Sequence, residues 1–571
     1  MVPRSTLSAT TTGHNHHHPN FISPVASRFE DIVSHNVELR DIDATHTVGD
    51  ENLLADIGYK QELKRTFSTF QVFGIAYSIM GVLPSIASLS GLGLSAGPGG
   101  FLWSWFAASI MIVSVSLSMS EMASSIPTSG GLYYWTYYYA PEKYRVMFSY
   151  FIGFCNAMAL CAGLVSICYG NAEEILAAVY ISHDGSFEIT DGKTYGVFVA
   201  CVLSQAVCTC LSSKNIALLQ STSAICNTGI IILFFIALPI GNAVNDKGFN
   251  DGKFIFGEVK NFSDWPSGFQ FVLSLFTAVW TIGAFDSCVH MSEEAKNASH
   301  GVPIGIISSV SVVSVLGFFI IVCINACVSP DILSVIETDT GFPLAQIIYD
   351  SLGRSWAIAF MALIACCQWL MGASILTALS RQIWAFARDD GLPFSTYVKV
   401  VHPKLKVPIR AVIFASCISL ALGCLCLAGP AASNALFSLT VSGNYTAWCT
   451  PIFLRLTSGR DRFKPGPFFM GHFWSTANSI VTVSWGFFVI VIAMFPSSKS
   501  VDKKDMNYTV VLTCGVWILS MIYFFLYKYK HYHGPKSNLE DSSALESDEA
   551  EQVPVAHSTK NSLIEKSPLS A

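Results

Sequence analysis

The sequence predicts an all-α integral membrane protein with twelve transmembrane helices in a five-plus-five inverted repeat, helices 1 and 6 being broken. Three observations carry that prediction. Only 13% of the 571 residues are charged while 52% are hydrophobic, and the mean hydropathy is +0.49. An ordinary soluble domain carries about a quarter charged residues, so charge this scarce cannot solvate several globular domains. Charge-free runs of spanning length recur along the chain; a helix needs roughly 20 apolar residues to cross the hydrocarbon layer. Two of those runs carry a backbone-weakening motif near their middle, five spans apart.

Between Arg65 and Glu121 no Asp, Glu, Lys or Arg occurs, and the Gly-rich stretch Gly91–Gly100 divides the interval into spans 1 and 2. Spans 3 to 8 follow at 146–172, 194–213, 215–245, 265–285, 297–330 and 355–380. The interval 411–454 is too long for one pass and holds Gly429-Pro430 near its middle, giving spans 9 and 10; 465–498 and 506–527 hold spans 11 and 12. Repeat one is expected over about 66–245, repeat two over about 265–456 and helices 11–12 over about 474–527, within a membrane domain at 66–530. Residues 1–65 read as a mostly disordered tail without a signal peptide. Residues 531–571, Ser- and Glu-rich, read as a second disordered tail, because such segments cannot bury enough apolar surface to order themselves. A plain solvated tail is the preferred reading, with trafficking or ubiquitination machinery acting on the tails as the alternative.

Lysine and arginine set the orientation. With the N-terminus in the cytoplasm, twenty of them fall at cytoplasmic ends and eight on the opposite face, so both termini are expected in the cytoplasm. The net charge of −6, without an extended basic patch, gives no reason to expect nucleic acid. The seventeen cysteines lie in or beside spans, where they read as small packing residues. Neither a disulfide framework nor a metal-ligand spacing is visible, and no cofactor is expected. Sequons at Asn261 and Asn507 fall on the non-cytoplasmic side.

The two weakened spans hold the candidate site. Span 1 contains Ser78-Ile-Met-Gly81-Val-Leu-Pro84-Ser85, and Pro84 suits the first turn of a second half-helix. Span 6 contains Trp280-Thr-Ile-Gly283-Ala-Phe-Asp286-Ser287. Broken backbone is tolerated at mid-membrane only where a cavity or ligand satisfies its polar groups. A half-helix N-terminus offers free N–H groups that suit a carboxylate, its C-terminus offers carbonyls that suit an ammonium group, and an aromatic ring can close over the cation. The pair of breaks therefore points to a small amine-bearing, often zwitterionic, solute. A carboxylate in a span is costly, so Asp286 is a functional candidate with three open roles: binding a cation, carrying a proton, or pairing with an arginine. Glu121 reads as a structural contact at the end of span 2, Glu173 and Glu174 as solvated residues at an outer helix end, and the Tyr133–Tyr139 run as an interfacial aromatic belt.

Four motifs resemble the amino acid–polyamine–organocation (APC) transporters, in their fungal amino acid/choline branch. Glu121…Pro127-Thr-Ser-Gly130-Gly131-Leu-Tyr133 is similar to that family's E-x5-P-T-S-G-G-x-Y segment, and Trp280…Asp286-Ser287 to its sixth-helix W-[ST]-x-x-[GA]-x-[ED]-S. Glu293-Glu294-Ala-Lys296…Val302-Pro303 resembles the loop after that helix, and Ser380-Arg381…Arg388-Asp389-Asp-Gly391-Leu-Pro393 the S-R-x-x-x-A-x-[AS]-R-D-x-G-x-P signature. Leu53–Arg65 and Gly248–Gly257 resemble the γ-aminobutyrate (GABA) permeases of that branch. The resemblance implies the LeuT-like fold, alternating access and secondary active transport of GABA, with putrescine and δ-aminolevulinate as further candidate substrates, coupled to protons. It implies an integral protein of the fungal vacuolar or plasma membrane. It also implies that amides near Ser78, Gly81 and Ser85 hold a carboxylate, that carbonyls at Thr281, Ile282, Gly283 and Ala284 hold the amine, that Trp280 covers the substrate, that Phe285 lines the path, and that Asp286 serves proton coupling. There are two departures. Met80-Gly81-Val82 stands where many relatives carry G-[ST]-G, and Ile225–Gly229 lacks the lysine some proton-coupled relatives place there, so sodium stays open beside the proton. The alternatives are a choline or ethanolamine permease of the same branch and a nutrient sensor that binds without transport. An enzyme is not expected.

Overall fold

The computed structural model describes residues 49–428, 430–496, 499 and 508–536. The expected tails, up to residue 48 and beyond residue 536, and the Asn507 sequon lie outside the described residues.

The first pass is split into α1 (Thr69–Met80) and α2 (Val82–Leu94), followed by α3 (Pro98–Ser125), α4 (Gly131–Tyr139), α5 (Arg145–Ser182), α6 (Asp191–Thr209) and α7 (Ser213–Val244). After the short α8 (Gly252–Gly257) comes the second broken pass, α9 (Ser267–Thr281) and α10 (Ser287–His290). Then follow α11 (Ala298–Cys327), α12 (Ile332–Ile336), α13 (Pro343–Leu352), α14 (Arg354–Arg388), α15 (Ser395–Val398), α16 (Ile409–Gly423) and α17 (Pro430–Leu456). The last two passes are α18 (His472–Ile492) and α19 (Thr509–Leu526). Among the described residues, β-pairing is limited to one isolated bridge, Phe67 with Ala295.

Nine helices among the described residues are long and apolar enough to cross a membrane, α1 and α2 counting as one. The other three passes are α6, α9 and α17. α9 has only 15 residues because its pass continues through an unwound stretch into α10.

Local chemistry sets the helix starts. Ser68 and Gln71 form a reciprocal capping box on α1: the Ser68 amide donates to Gln71 Oε1 at 2.9 Å and the Gln71 amide to Ser68 Oγ at 3.4 Å. Pro98 opens α3 at its first position, where a missing N–H costs nothing. On α7, Ile225, Ile232, Ile236, Ile240 and Val244 are all exposed. Such an apolar stripe is costly in water and natural against lipid chains.

The interior is organised around α5, which packs against α6, α14, α16, α17 and α19. The most extensive helix pairings are α5 with α14 and α3 with α11. These join the third pass to the eighth and the second to the seventh, equivalent members of the two repeats. Close approach needs small residues: a Cβ on Gly317 of α11 would stand 1.9 Å from the Trp105 ring of α3. The inserted helices obey the same symmetry. α4 follows the second pass and α12–α13 follow the seventh, so an odd number of crossings puts them on opposite faces.

The packing corrects several expectations. Residues 50–67 do not behave as a tail: Leu54, Tyr59, Leu63 and Phe67 are buried, because this segment carries its own apolar residues and packs them on the helices. Tyr532, beyond α19, is buried likewise. Of the aromatic run, Tyr133, Trp135 and Tyr139 are interior rather than interfacial, because α4 packs against α5 and α17. Glu174 is not solvated. It is fully buried and neither carboxylate oxygen has a hydrogen-bond partner among the described residues, whereas its neighbour Glu173 is exposed. Adjacent residues point about 100° apart on a helix, which separates the two. Glu121 is structural: Arg455 donates to it at 2.9 Å and Ser475 at 2.6 Å. All seventeen cysteines are free.

Candidate functional site

The first break is a single residue. Gly81 has φ +26° and ψ 75°, a backbone that side chains on L-residues rarely adopt. Its amide still reaches the Tyr77 carbonyl at 3.2 Å, and its carbonyl accepts from the Ser85 amide at 2.9 Å. Ser85 Oγ donates back to the Met80 carbonyl at 2.8 Å, satisfying one acceptor that the break exposes. A Cβ on Gly81 would meet Met371 of α14, with Sδ at 2.1 Å. Glycine is thus required by the turn and by the neighbour together. Pro84 sits in the first turn of α2, where it removes no internal bond.

The second break is longer. α9 ends at Thr281, Ala284 has φ +55°, and the chain resumes helical geometry only at Ser287. The last carbonyls of α9 therefore lack the partners that a continuing helix would supply. Thr281 Oγ1 is also buried without a hydrogen-bond partner among the described residues.

The two breaks meet at one cavity of about 30 Å³. Ser85 comes from the first; Trp280, Thr281, Gly283 and Ala284 come from the second. Gly163 and Ile167 of α5, Ile375 of α14, and Thr440, Asn444, Tyr445 and Trp448 of α17 complete the wall. That volume has room for about two water molecules, so the site is contracted in this conformation. A larger cavity of about 390 Å³ lies toward the C-terminal ends of α2 and α18 and the N-terminal end of α9, with Ser88, Gln270 and Ile492 in its wall. Trp280 from the small cavity packs on Phe437 from the large one, with ring centroids 4.9 Å apart and the planes tilted by 42°, so this ring pair lies between them.

The other expected residues stand around this core. Ser78 is turned to the opposite side of α1, where its hydroxyl bonds Ser374 at 2.7 Å and also Ser223, bracing α1 against α14 and α7. Ile282 is fully buried behind the break. Phe285 packs on Trp448 with ring centroids 4.4 Å apart, supporting a ring that lines the cavity. Asp286 is fully buried below the break and accepts from Asn156 of α5 at 2.9 Å. Its ionisable partner is His290, with Nε2 3.4 Å away, rather than an arginine. His290 was legible as the residue four places on from Asp286, one turn along the same strand of helix. Asn156, Tyr445 and Trp448 carry no such local signal.

On the face expected to be cytoplasmic, the motifs quoted separately above form one structure. Glu294 pairs with Arg381 at 2.7 Å and Glu293 with Arg388 at 2.9 Å, all four buried. The Ser129 amide of the Pro127–Gly131 turn donates to Glu293 at 3.1 Å. Asp389 accepts from Tyr133 at 2.7 Å, from Tyr59 at 3.0 Å and from the Lys536 amide at 3.2 Å. Burial nevertheless pushes its carboxyl up to about 6, against the lowering influence of Arg388 and these donors. This polar layer joins the turn after α3, the loop after α10 and the end of α14.

Two broken helices meeting at a small cavity among the passes suit solute passage. Residues 67–517 match the amino acid permease family. The chain belongs to that family. The permease is 57% identical over 511 residues to the GABA-specific permease of Saccharomyces cerevisiae, covering 89% of this chain and 90% of that one. It is 32% identical over 515 residues to an uncharacterized amino-acid permease of Schizosaccharomyces pombe, covering 89% and 94% of the two chains. A second uncharacterized amino-acid permease of that yeast is 33% identical over 500 residues, 86% of this chain and 88% of that one. The permease is accordingly a multi-pass membrane transporter and not an enzyme.

Proposed function

We propose that this permease carries GABA and related small amines, putrescine and δ-aminolevulinate among them, by proton-coupled alternating access. The observation that carries the reading is the likeness to the yeast GABA-specific permease over nine-tenths of both chains. A zwitterion needs partners of both signs, and the two breaks are the proposed source of them. The amides that open α2 beyond Gly81, beside Ser85, would take the carboxylate. The carbonyls of Thr281, Ile282 and Gly283, with that of Ala284, which also accepts from the Ser287 amide at 3.1 Å, would take the ammonium group, with Trp280 over it. Ser78 serves this site by bracing α1, and Phe285 by supporting Trp448. Asp286 would carry the coupling proton. The large cavity would be the entry path and the polar layer around Glu293 and Arg388 the closed exit. The charge distribution supports cytoplasmic termini, in a vacuolar or plasma membrane.

Trp280, Tyr445 and Trp448 around one cavity also favour a quaternary ammonium ligand, so choline is the competing substrate. Reconstituted protein assayed against a solute panel, with and without a pH gradient, decides. Saturable GABA uptake that grows with an inward proton gradient is expected. Strong inhibition by choline without saturable GABA uptake would assign the choline reading, and binding without flux would make the chain a sensor.

A further inference from the structure

We infer that His290 shares the coupling proton with Asp286, the two side chains acting as a single proton carrier below the sixth-helix break. This rests on the reading of the chain as a proton-coupled permease. The argument begins at the far side of the imidazole. His290 Nδ1 lies 3.1 Å from the Ser129 carbonyl oxygen. A carbonyl oxygen only accepts, so Nδ1 carries the hydrogen. In the neutral ring Nε2 is then a bare lone pair, and it lies 3.4 Å from Asp286 Oδ2. A lone pair against an ionised carboxylate, both fully buried, is unfavourable for each. One proton between them removes the conflict. It either makes Asp286 a carboxylic acid that donates to Nε2 or makes His290 an imidazolium that donates to Oδ2. Both forms leave the pair neutral. Loss of that proton to water leaves one buried negative charge.

The charged groups around the pair bond elsewhere, among them Arg65, which donates to the Ser292 and Ala295 carbonyls and pairs with Asp50. Packed against α10 are α1, α11 and α14. From α14, Arg381 is held by Glu294 and Arg388 by Glu293, while Asp389 is held by Tyr59 and Tyr133. α1 brings no charged side chain; its Tyr77 hydroxyl bonds Thr228. α11 brings His300, which is exposed at its start. On the same stretch, the Cys288 thiol donates to the Val72 carbonyl at 3.3 Å. From α5, Asn156 donates to Oδ2 at 2.9 Å, with the buried Cys155 thiol beside it in sequence. Asp286 Oδ1 and His290 Nε2 have no hydrogen-bond partner among the described residues, so both have capacity for the proton.

The same contacts couple protonation to movement. Asn156 belongs to α5 and Asp286 to the broken pass, so their bond ties that pass to α5. A bond to an ionised carboxylate is about twice as strong as a neutral one. Protonation at Asp286 weakens it and frees the break to shift against α5. The cycle takes up one proton as an N–H or O–H bond forms and gives one back as it breaks.

The test compares His290→Asn and Asp286→Asn with the wild type in proteoliposomes. Asparagine keeps a donor where Nδ1 stands and cannot titrate. With one proton per substrate, a gradient of about one pH unit supports roughly tenfold accumulation of labelled GABA. Loss of that accumulation in both variants, with GABA counterflow retained, is the expected result. Loss in D286N with accumulation intact in H290N would overturn the shared proton and leave Asp286 as carrier. Accumulation intact in both would remove the whole coupling assignment. Should H290N not reach the membrane, infrared difference spectra of the wild type from about pH 5 to 8 answer the question. A carboxylic-acid band and a histidine ring band changing with one midpoint support the shared proton; two separate midpoints overturn it.

Discussion

Arg388 grips Glu293 with both prongs of its guanidinium, Nη1 2.9 Å from Oε2 and Nη2 3.1 Å from Oε1. Glu293 also accepts from the Thr128 hydroxyl at 3.3 Å, and Arg388 lies 3.9 Å over the Tyr59 ring. One pair thus fastens the turn after α3, the loop after α10, the end of α14 and the segment before α1.

Breaking that pair from one side strands a buried charge, which costs about 3–5 kcal/mol. Arg388→Met and Glu293→Gln should each lower the melting temperature in detergent and the fraction of monodisperse protein. The double variant should melt closer to the wild type than either single one, since it strands nothing. Additive losses in the double variant would contradict the pairing.

Gly81→Ala should cripple uptake even though it adds one methyl group. The left-handed backbone costs an L-residue about 1–2 kcal/mol, and the new Cβ would strike Met371. Adding Met371→Ala should relieve the collision but not the backbone cost, giving partial recovery of GABA uptake. Full activity in the single variant would show that the break need not be this tight.

The aromatic partition between the cavities gives a third expectation. A cation over a desolvated ring is worth about 2 kcal/mol, roughly a thirtyfold loss of GABA affinity for Trp280→Ala. Phe437→Ala removes the other ring of the pair, so it should widen substrate range with a smaller effect on affinity. Binding measured against GABA, choline and longer amines separates the two roles.

Asp389 makes the closed polar layer sensitive to pH. Its carboxyl sits near 6 while buried, and exposure on opening returns it to the usual carboxylate range. The closed state therefore holds more protons between about pH 4 and 6. Closure is favoured below that window and lost progressively as pH rises through 6, by roughly 3 kcal/mol for a shift of this size. Amide hydrogen exchange over residues 386–392, corrected for intrinsic rates, should show more protection at the acidic end. Asp389→Asn should flatten the profile.

The passes and both breaks were legible because they depend on segments. Scarce charge over twenty residues marks a crossing wherever the segment lies, and Gly81 or Gly283 weakens a helix from within. The motif residues Glu293, Glu294, Arg381 and Arg388 were visible too, but not their mutual pairing across 80–100 positions of chain. His290 lay one helical turn from Asp286 and could have been found by spacing; Asn156 could not.

The amino-acid sequence alone therefore determined the solvent, the crossings and where the backbone gives way, since hydropathy and main-chain freedom are local properties. Tertiary structure decided the direction of each side chain. It turned Ser78 toward Ser374 rather than the cavity, drew Glu174 inward while Glu173 stayed out, and buried Tyr133 against Asp389. Such choices follow from how each helix is rotated against its neighbours, and no single stretch of chain contains that information.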